Sequence, residues 1–245
     1  MTVEFQVNKE LISERLFHAL ASGQRAGARD IVAECIREGM QAEEIAHELF
    51  WDVLQQVADL HRQDQLSTLS YNYATRLLRS LVDQLHAGYE RRPGRSKRVL
   101  LFTGDAEADE IGGHLMADLL EADGYEVFFG GGGVARDEVL AEVGERRPDT
   151  LLMFASAASD APDIRVLIDT IRGVGACPEM QILVGGGVFN RAEGLAEEIG
   201  ADAWARDPLE VLEILEFEPE RRATPEQRTV GRNRKVPAPP RARAA

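Results

Sequence analysis

Four short apolar runs, at residues 99–104, 127–130, 151–156 and 182–185, constrain this chain more than anything else in it. Each is too short for a helix and stops near a glycine or serine. Amphipathic stretches at 115–122, 137–146 and 163–174 lie between them. Strand-helix alternation of this kind implies a parallel sheet covered by helices on both faces. Residues 201–205 offer a fifth, weaker strand and 208–215 a closing helix. Doubly wound sheets take ligands outside the carboxyl ends of their strands, where the winding reverses.

The amino-terminal third has a different texture. Leu11, Leu16, Phe17 and Leu20 recur at helical spacing, as do Ile31, Cys35 and Ile36. Ile45, Leu49, Phe50, Val53, Leu54, Val57 and Leu60 form the strongest stripe, followed by Leu69, Tyr73, Leu77, Leu78, Leu81 and Leu85. Four helices with short connections bury such stripes only against one another, so residues 1–88 read as a four-helix bundle. Residues 89–98 are polar, carry Pro93-Gly94 and read as a linker. The sheet domain is expected over 99–218. Residues 219–245 are rich in Arg, Pro and Ala, lack apolar periodicity and read as a disordered basic tail.

Charge is unevenly spread. The chain carries −14 overall, but the stretch from Pro219 onward carries +6, which leaves −20 on the rest. An acidic body is not expected to bind nucleic acid, and only the tail offers a weak contact to it. No apolar run approaches the roughly 20 residues that span a bilayer. No charged start followed by an apolar stretch marks a secretory signal. Cys35 and Cys177 are isolated. A cytoplasmic protein is therefore expected.

The informative segment is Gly104-Asp105-Ala106-Glu107-Ala108-Asp109-Glu110-Ile111-Gly112-Gly113-His114, which follows the first strand and opens a helix. Further on stand Ser156-Ala157-Ala158 after the third strand and Gly185-Gly186 after the fourth. In this order the three segments resemble the cobalamin-binding domain family of methionine synthase, corrinoid methyl carriers and light-sensing repressors. That family carries Asp-x-His-x-x-Gly, Ser-x-Leu and Gly-Gly at these places. The resemblance implies a flavodoxin-like, five-stranded doubly wound α/β domain under a helical cap. It further implies a cofactor tail threading beside the sheet near Gly112, Ser156, Gly185 and Gly186. Glycines there let backbone approach a ligand without a Cβ in the way, although tight strand-to-helix turns need them equally.

The motif also departs from the family. Asp109 stands where the family has its cobalt-binding histidine, and Glu107 where it has the partner aspartate. An imidazole oriented by a carboxylate is a tuned nitrogen donor, and a carboxylate is a harder ligand. Glu107, Asp109 and Glu110 fit equally an acidic helix start, where the dipole favours negative charge. Asp105, Glu107 and Asp109 could also collect a divalent cation. In the cap, His61 falls at the tryptophan position of the adenosylcobalamin-sensing repressors, with Tyr71 and Asn72 at their Glu-His pair. His61, Tyr71 and Asn72 could face a cobalamin, a heme or a bilin, or form a ligand-free polar cluster. His114 reads as a surface residue, and His18, His47 and His86 as structural or exposed.

No nucleophile elbow, Walker loop or histidine metal doublet is present, and the glycines at 130–133 lack the dinucleotide fingerprint. The leading expectation is a non-catalytic tetrapyrrole-binding sensor, with light or ligand as its signal. It would act through a regulatory protein partner, in signal transduction or transcription control, and could form a homodimer. The alternative is a corrinoid methyl carrier serving a separate methyltransferase.

Overall fold

The structure is a computed structural model that describes residues 2–175 and 177–224, with side chains from Lys9 onward. The bundle consists of α1 (Thr2–Ala21), α2 (Arg25–Arg37), a composite helix and α5 (Thr68–Leu85). The composite helix runs from α3 (Ala42–Glu44) through a π-helical stretch (Ile45–Phe50) into α4 (Trp51–Arg62). Ser67 caps α5 by accepting the Ser70 N–H at 3.1 Å. In α1 the buried face runs Ile12, Leu16, Leu20, while Leu11 is 53 % exposed. Stepping back four residues from Leu16 reaches Ile12, so the expected stripe began one residue early. Ile36, Leu69 and Tyr73 are likewise exposed, and the α5 stripe is buried from Ala74 on.

The second half holds β1 (Arg98–Thr103), α6 (Glu107–Ala122), β2 (Glu126–Gly131), α7 (Arg136–Arg146), β3 (Thr150–Phe154) and α8 (Asp160–Val174). There follow β4 (Gln181–Gly185), α9 (Gly187–Arg191), α10 (Leu195–Ile199), β5 (Ala203–Ala205) and α11 (Pro208–Phe217). The strands pair in parallel in the order β2-β1-β3-β4-β5, the flavodoxin-like order, with the reversal between β1 and β3. Successive residues face opposite ways, as a strand's pleat requires. Leu101, Leu152, Phe154 and Leu183 join the core shared with the bundle, α6 and α11. Leu100, Phe102, Met153, Ile182 and Val184 join the core under α7, α8 and α10. α11 starts where Asp207 accepts the Glu210 N–H at 3.0 Å, with Pro208 at its first position.

The segment expected as an interdomain linker joins the two halves and is docked on the sheet domain. Arg92 and Arg95 donate backbone N–H bonds to Ala122 O and Gly124 O, each at 2.8 Å. Both guanidiniums pair with Asp123, and Arg95 also pairs with Glu216. Composition reads such residues as solvated, whereas specific backbone and carboxylate partners hold them.

The first residues of the expected tail are held as well. Gln181 Nε2 donates to Arg221 O at 3.4 Å and Ala223 N–H to Asp202 Oδ1 at 2.8 Å, while Arg222 reaches Glu179 O. The expectation for residues 225–245 lies outside the described residues. A chain ending at Thr224 should keep the melting temperature of the full chain. One ending at Glu218 should melt about 5 °C lower, from roughly 2 kcal/mol of lost hydrogen bonding at about 2–4 °C per kcal/mol. Differential scanning calorimetry on both truncations checks this, and equal melting temperatures would show that residues 219–223 hold nothing.

Candidate functional site at the carboxyl edge of the sheet

β1 delivers the chain to Gly104, and the acid-rich turn that follows enters α6 without a side-chain cap at Ala106. The cap domain supplies the missing partner: Tyr71 Oη accepts the Ala108 N–H at 3.2 Å. Burial pushes the Tyr71 hydroxyl above its ordinary pKa. The His61 ring packs against Tyr71 with ring centroids 4.1 Å apart and the planes tilted by 34°. The three acids of the first turn then part company. Glu107 and Glu110 both pair with Arg79 of α5 at 3.1 Å. Asp109 turns the other way and is 6 % exposed.

Asp109 meets the end of β3. Ser156 donates its backbone N–H to Asp109 Oδ2 at 3.0 Å and its hydroxyl to Asp109 Oδ1. Ser156 O in turn accepts from Arg191 Nη2 at 2.5 Å. Burial lifts the Asp109 pKa first of all, the two Ser156 bonds oppose this, and the nearby Asp160 carboxylate adds to the rise. Gly104 makes the approach possible, since a Cβ there would lie 2.7 Å from Asp160 Oδ2 and 2.8 Å from Asp109 Oδ2. Among the described residues no group of three or more His, Cys, Asp or Glu is placed to hold a metal ion. Asp105, Glu107 and Asp109 therefore form no cation site.

The glycines are sterically committed. Gly186 sits at φ +98°, and a Cβ on it would fall 2.5 Å from Ala155 O, so any larger residue there disturbs the β3–β4 edge itself. A Cβ on Gly185 would meet Phe154 Cε1 at 2.7 Å, and one on Gly112 would meet Trp51 Cζ3 at 3.2 Å. Asn72 is exposed on α5. The structure thus joins Glu107 to the cap, Asp109 to Ser156 and His61 to Tyr71. Arg79, Arg191, Trp51 and Phe154 escaped the sequence reading. Their partners lie far off in sequence, and a buried aromatic side chain reads simply as core.

A groove of about 980 Å³ lies between the cap and the end of β5, lined by His47, Trp51, Asp52, Arg206, Asp207 and Leu209. None of Ser156, Gly185, Gly186, His61, Tyr71 or Asn72 lines it. Burial lowers the His47 pKa, and burial followed by the Asp207 charge raises that of Asp52. A smaller cavity of about 380 Å³ opens on the opposite face of the sheet between α7 and α8, over Phe102, Met153 and Leu167. No described helix is long and apolar enough to cross a membrane.

Two family models, both described as B12 binding domain, match residues 12–86 and 97–213. A curated relative, trimethylamine corrinoid protein 2 of Methanosarcina acetivorans, is 21 % identical over 207 residues, 83 % of this chain and 94 % of the relative. Among solved structures, the monomethylamine corrinoid protein of Methanosarcina barkeri superimposes with a TM-score of 0.74 at 19 % identity, covering 84 % of this chain and 97 % of the other.

The raised Asp109 pKa has a defined effect on stability. The folded state holds this proton more tightly than the unfolded chain does, so the contribution is present below the ordinary carboxylate pKa and lost as pH rises toward the folded value. Asp109→Asn should therefore gain most over the parent at about pH 7 and least in acid. Asp109→Ala, which strands the Ser156 N–H and hydroxyl, should cost about 1–3 kcal/mol. Thermal melts of both variants from acid to neutral pH check the pair. An Asn variant that loses ground as pH rises would show that Asp109 is stabilised as the anion.

Proposed function

Because this chain belongs to the B12-binding domain family, matched in both its helical and its sheet half, we propose that it is a corrinoid protein that carries a methyl group for a separate methyltransferase. The observation that carries this reading is the match along both halves to a curated corrinoid protein, nearly the whole length of which is covered. It favours the carrier over the sensory protein that the altered cap residues first suggested. Nothing in the comparisons supports heme or bilin, and the proposed cofactor is cobalamin or a related corrinoid.

The residues present fit such a ligand in part. The groove of about 980 Å³ between the cap and the end of β5, lined by His47, Trp51 and Arg206, is within reach of part of a flat macrocycle. Outside that groove, Ser156, Gly186 and Gly187 lie at the ends of β3 and β4, where Arg191 anchors the segment after β4 to the segment after β3. At the position where the family has its histidine, Asp109 offers no imidazole and is engaged by Ser156 on both oxygens, whereas His47 lines the groove itself. When bound, the corrinoid supplies a cobalt centre able to accept a methyl group and pass it on. The chain's part is to hold and shield that centre, and to open it to a partner enzyme by parting the cap from the sheet.

Hydroxocobalamin titrated into the purified protein should co-elute with it in gel filtration. After reduction and reaction with labelled iodomethane, the label should stay with the protein until a corrinoid-dependent methyltransferase and its acceptor are added. Failure to take up cobalamin would end the corrinoid reading. Uptake followed by a light-driven change of assembly, with no methyl transfer, would restore the sensory one.

A further inference from the structure

Gly130 to Gly133 end β2 and open the loop that follows it. Gly131 and Gly133 take φ +71° and +70°, and a Cβ on Gly132 would fall 2.4 Å from Gly104 O. Backbone thus packs on backbone where the loops after β1 and β2 meet. Gly104, Gly131 and Gly133 line the cavity of about 380 Å³ between α7 and α8.

That cavity opens at the carboxyl ends of β1 and β3, where the winding of the sheet reverses. Doubly wound sheets take small molecules at this place, and the volume suits one. It shares no lining residue with the groove between the cap and the end of β5.

Floor and mouth differ in chemistry. Phe102, Met153 and Leu167 make the floor, and all three are buried. Asp105, Asp160 and Asp163 line the same cavity. Asp105 and Asp163 are exposed and Asp160 is half-buried, so the acids stand at the mouth. The cation beside them, Arg136, is already paired with Asp163 at 3.1 Å. Neither Asp105 nor Asp160 pairs with a cation among the described residues. Asp160 Oδ2 and Asp109 Oδ2 crowd the bare side of Gly104, which adds to the local excess of negative charge. Such a mouth repels an anion, and an uncharged apolar guest leaves its carboxylates unanswered. A cationic head over an apolar body answers both ends.

We propose that the cavity between α7 and α8 binds a small organic amine, with its ammonium on Asp105 and Asp160 and its apolar body on Phe102, Met153 and Leu167. The site is separate from the groove assigned to the corrinoid and does not depend on that reading.

Isothermal titration calorimetry of the full chain at neutral pH tests this with three probes of similar shape. They are tryptamine, the uncharged tryptophol and the anion indole-3-acetate. Tryptamine should bind saturably, tryptophol more weakly and indole-3-acetate not at all. Asp105→Asn and Asp160→Asn should each weaken tryptamine about fivefold, the scale of one partly exposed ion pair, and leave tryptophol unchanged. Ile164→Trp and Ala135→Trp place an indole in the cavity and should each abolish tryptamine binding. They are measured separately, with thermal melts, so that one unfolded variant leaves the other. No saturable heat from tryptamine, or indole-3-acetate bound as tightly, would overturn the proposal. So would unchanged affinity in either asparagine variant or in a folded tryptophan variant. Cobalamin uptake is read in its own titration, so either reading can fail while the other stands.

Discussion

The architecture depends on one helix being packed from both sides. α6 lies between the bundle and the sheet, and twelve of its sixteen residues are buried. Two adjacent glycines make that possible. Gly112 gives its surface to Trp51 and Leu54 of the cap, and Gly113 gives its own to Thr103 and Phe129 of the strands, where a Cβ would lie 2.5 Å from Thr103 Cγ2. A side chain at either place would hold cap and sheet apart by about the thickness of a methyl group, more than a close-packed interior absorbs. The bundle and one face of the sheet therefore share a single apolar core.

The same helix divides the charges of the carboxyl edge. Its first turn carries three acids, as suits the positive end of a helix dipole. Two face outward to a single arginine, Arg79, and join the two halves electrostatically. The third faces inward, unpaired by any cation within hydrogen-bonding distance, and is satisfied by a serine alone. Asp109 thus keeps the reach toward β3 that the position demands, yet does structural work there as a tie between the β1–α6 and β3–α8 loops.

Much of the fold was legible because buried strands and amphipathic helices differ in run length. The runs ending at Phe154 and Gly185 could hardly be anything but strands, and the motif segments then gave their place in the sheet. The site was legible in position and much less so in contact. Glu107, Asp109 and Ser156 were identified as a group, but nothing in the spacing says that Asp109 turns from Arg79 toward a residue 47 positions away. Trp51 and Phe154 escaped notice because a ring packed on a glycine looks in sequence like any other core aromatic. The phase error at Leu11 and the early limit set for the body before Pro219 have a common source. Composition and periodicity describe averages, whereas Ile12 and Ala223 are decided by individual neighbours.

The stretch between Tyr89 and Arg98 behaves as a seam and not as a hinge. Arg92 and Arg95 are stitched to Asp123 and to the backbone after α6, and Arg95 additionally lies 5.2 Å from the Tyr125 ring centre. The segment that leads out of the cap is thereby fixed to the end of α6. At the other border, Tyr71 and Arg79 of the cap hold the first turn of α6, so the two halves are tied on both sides of the core they share.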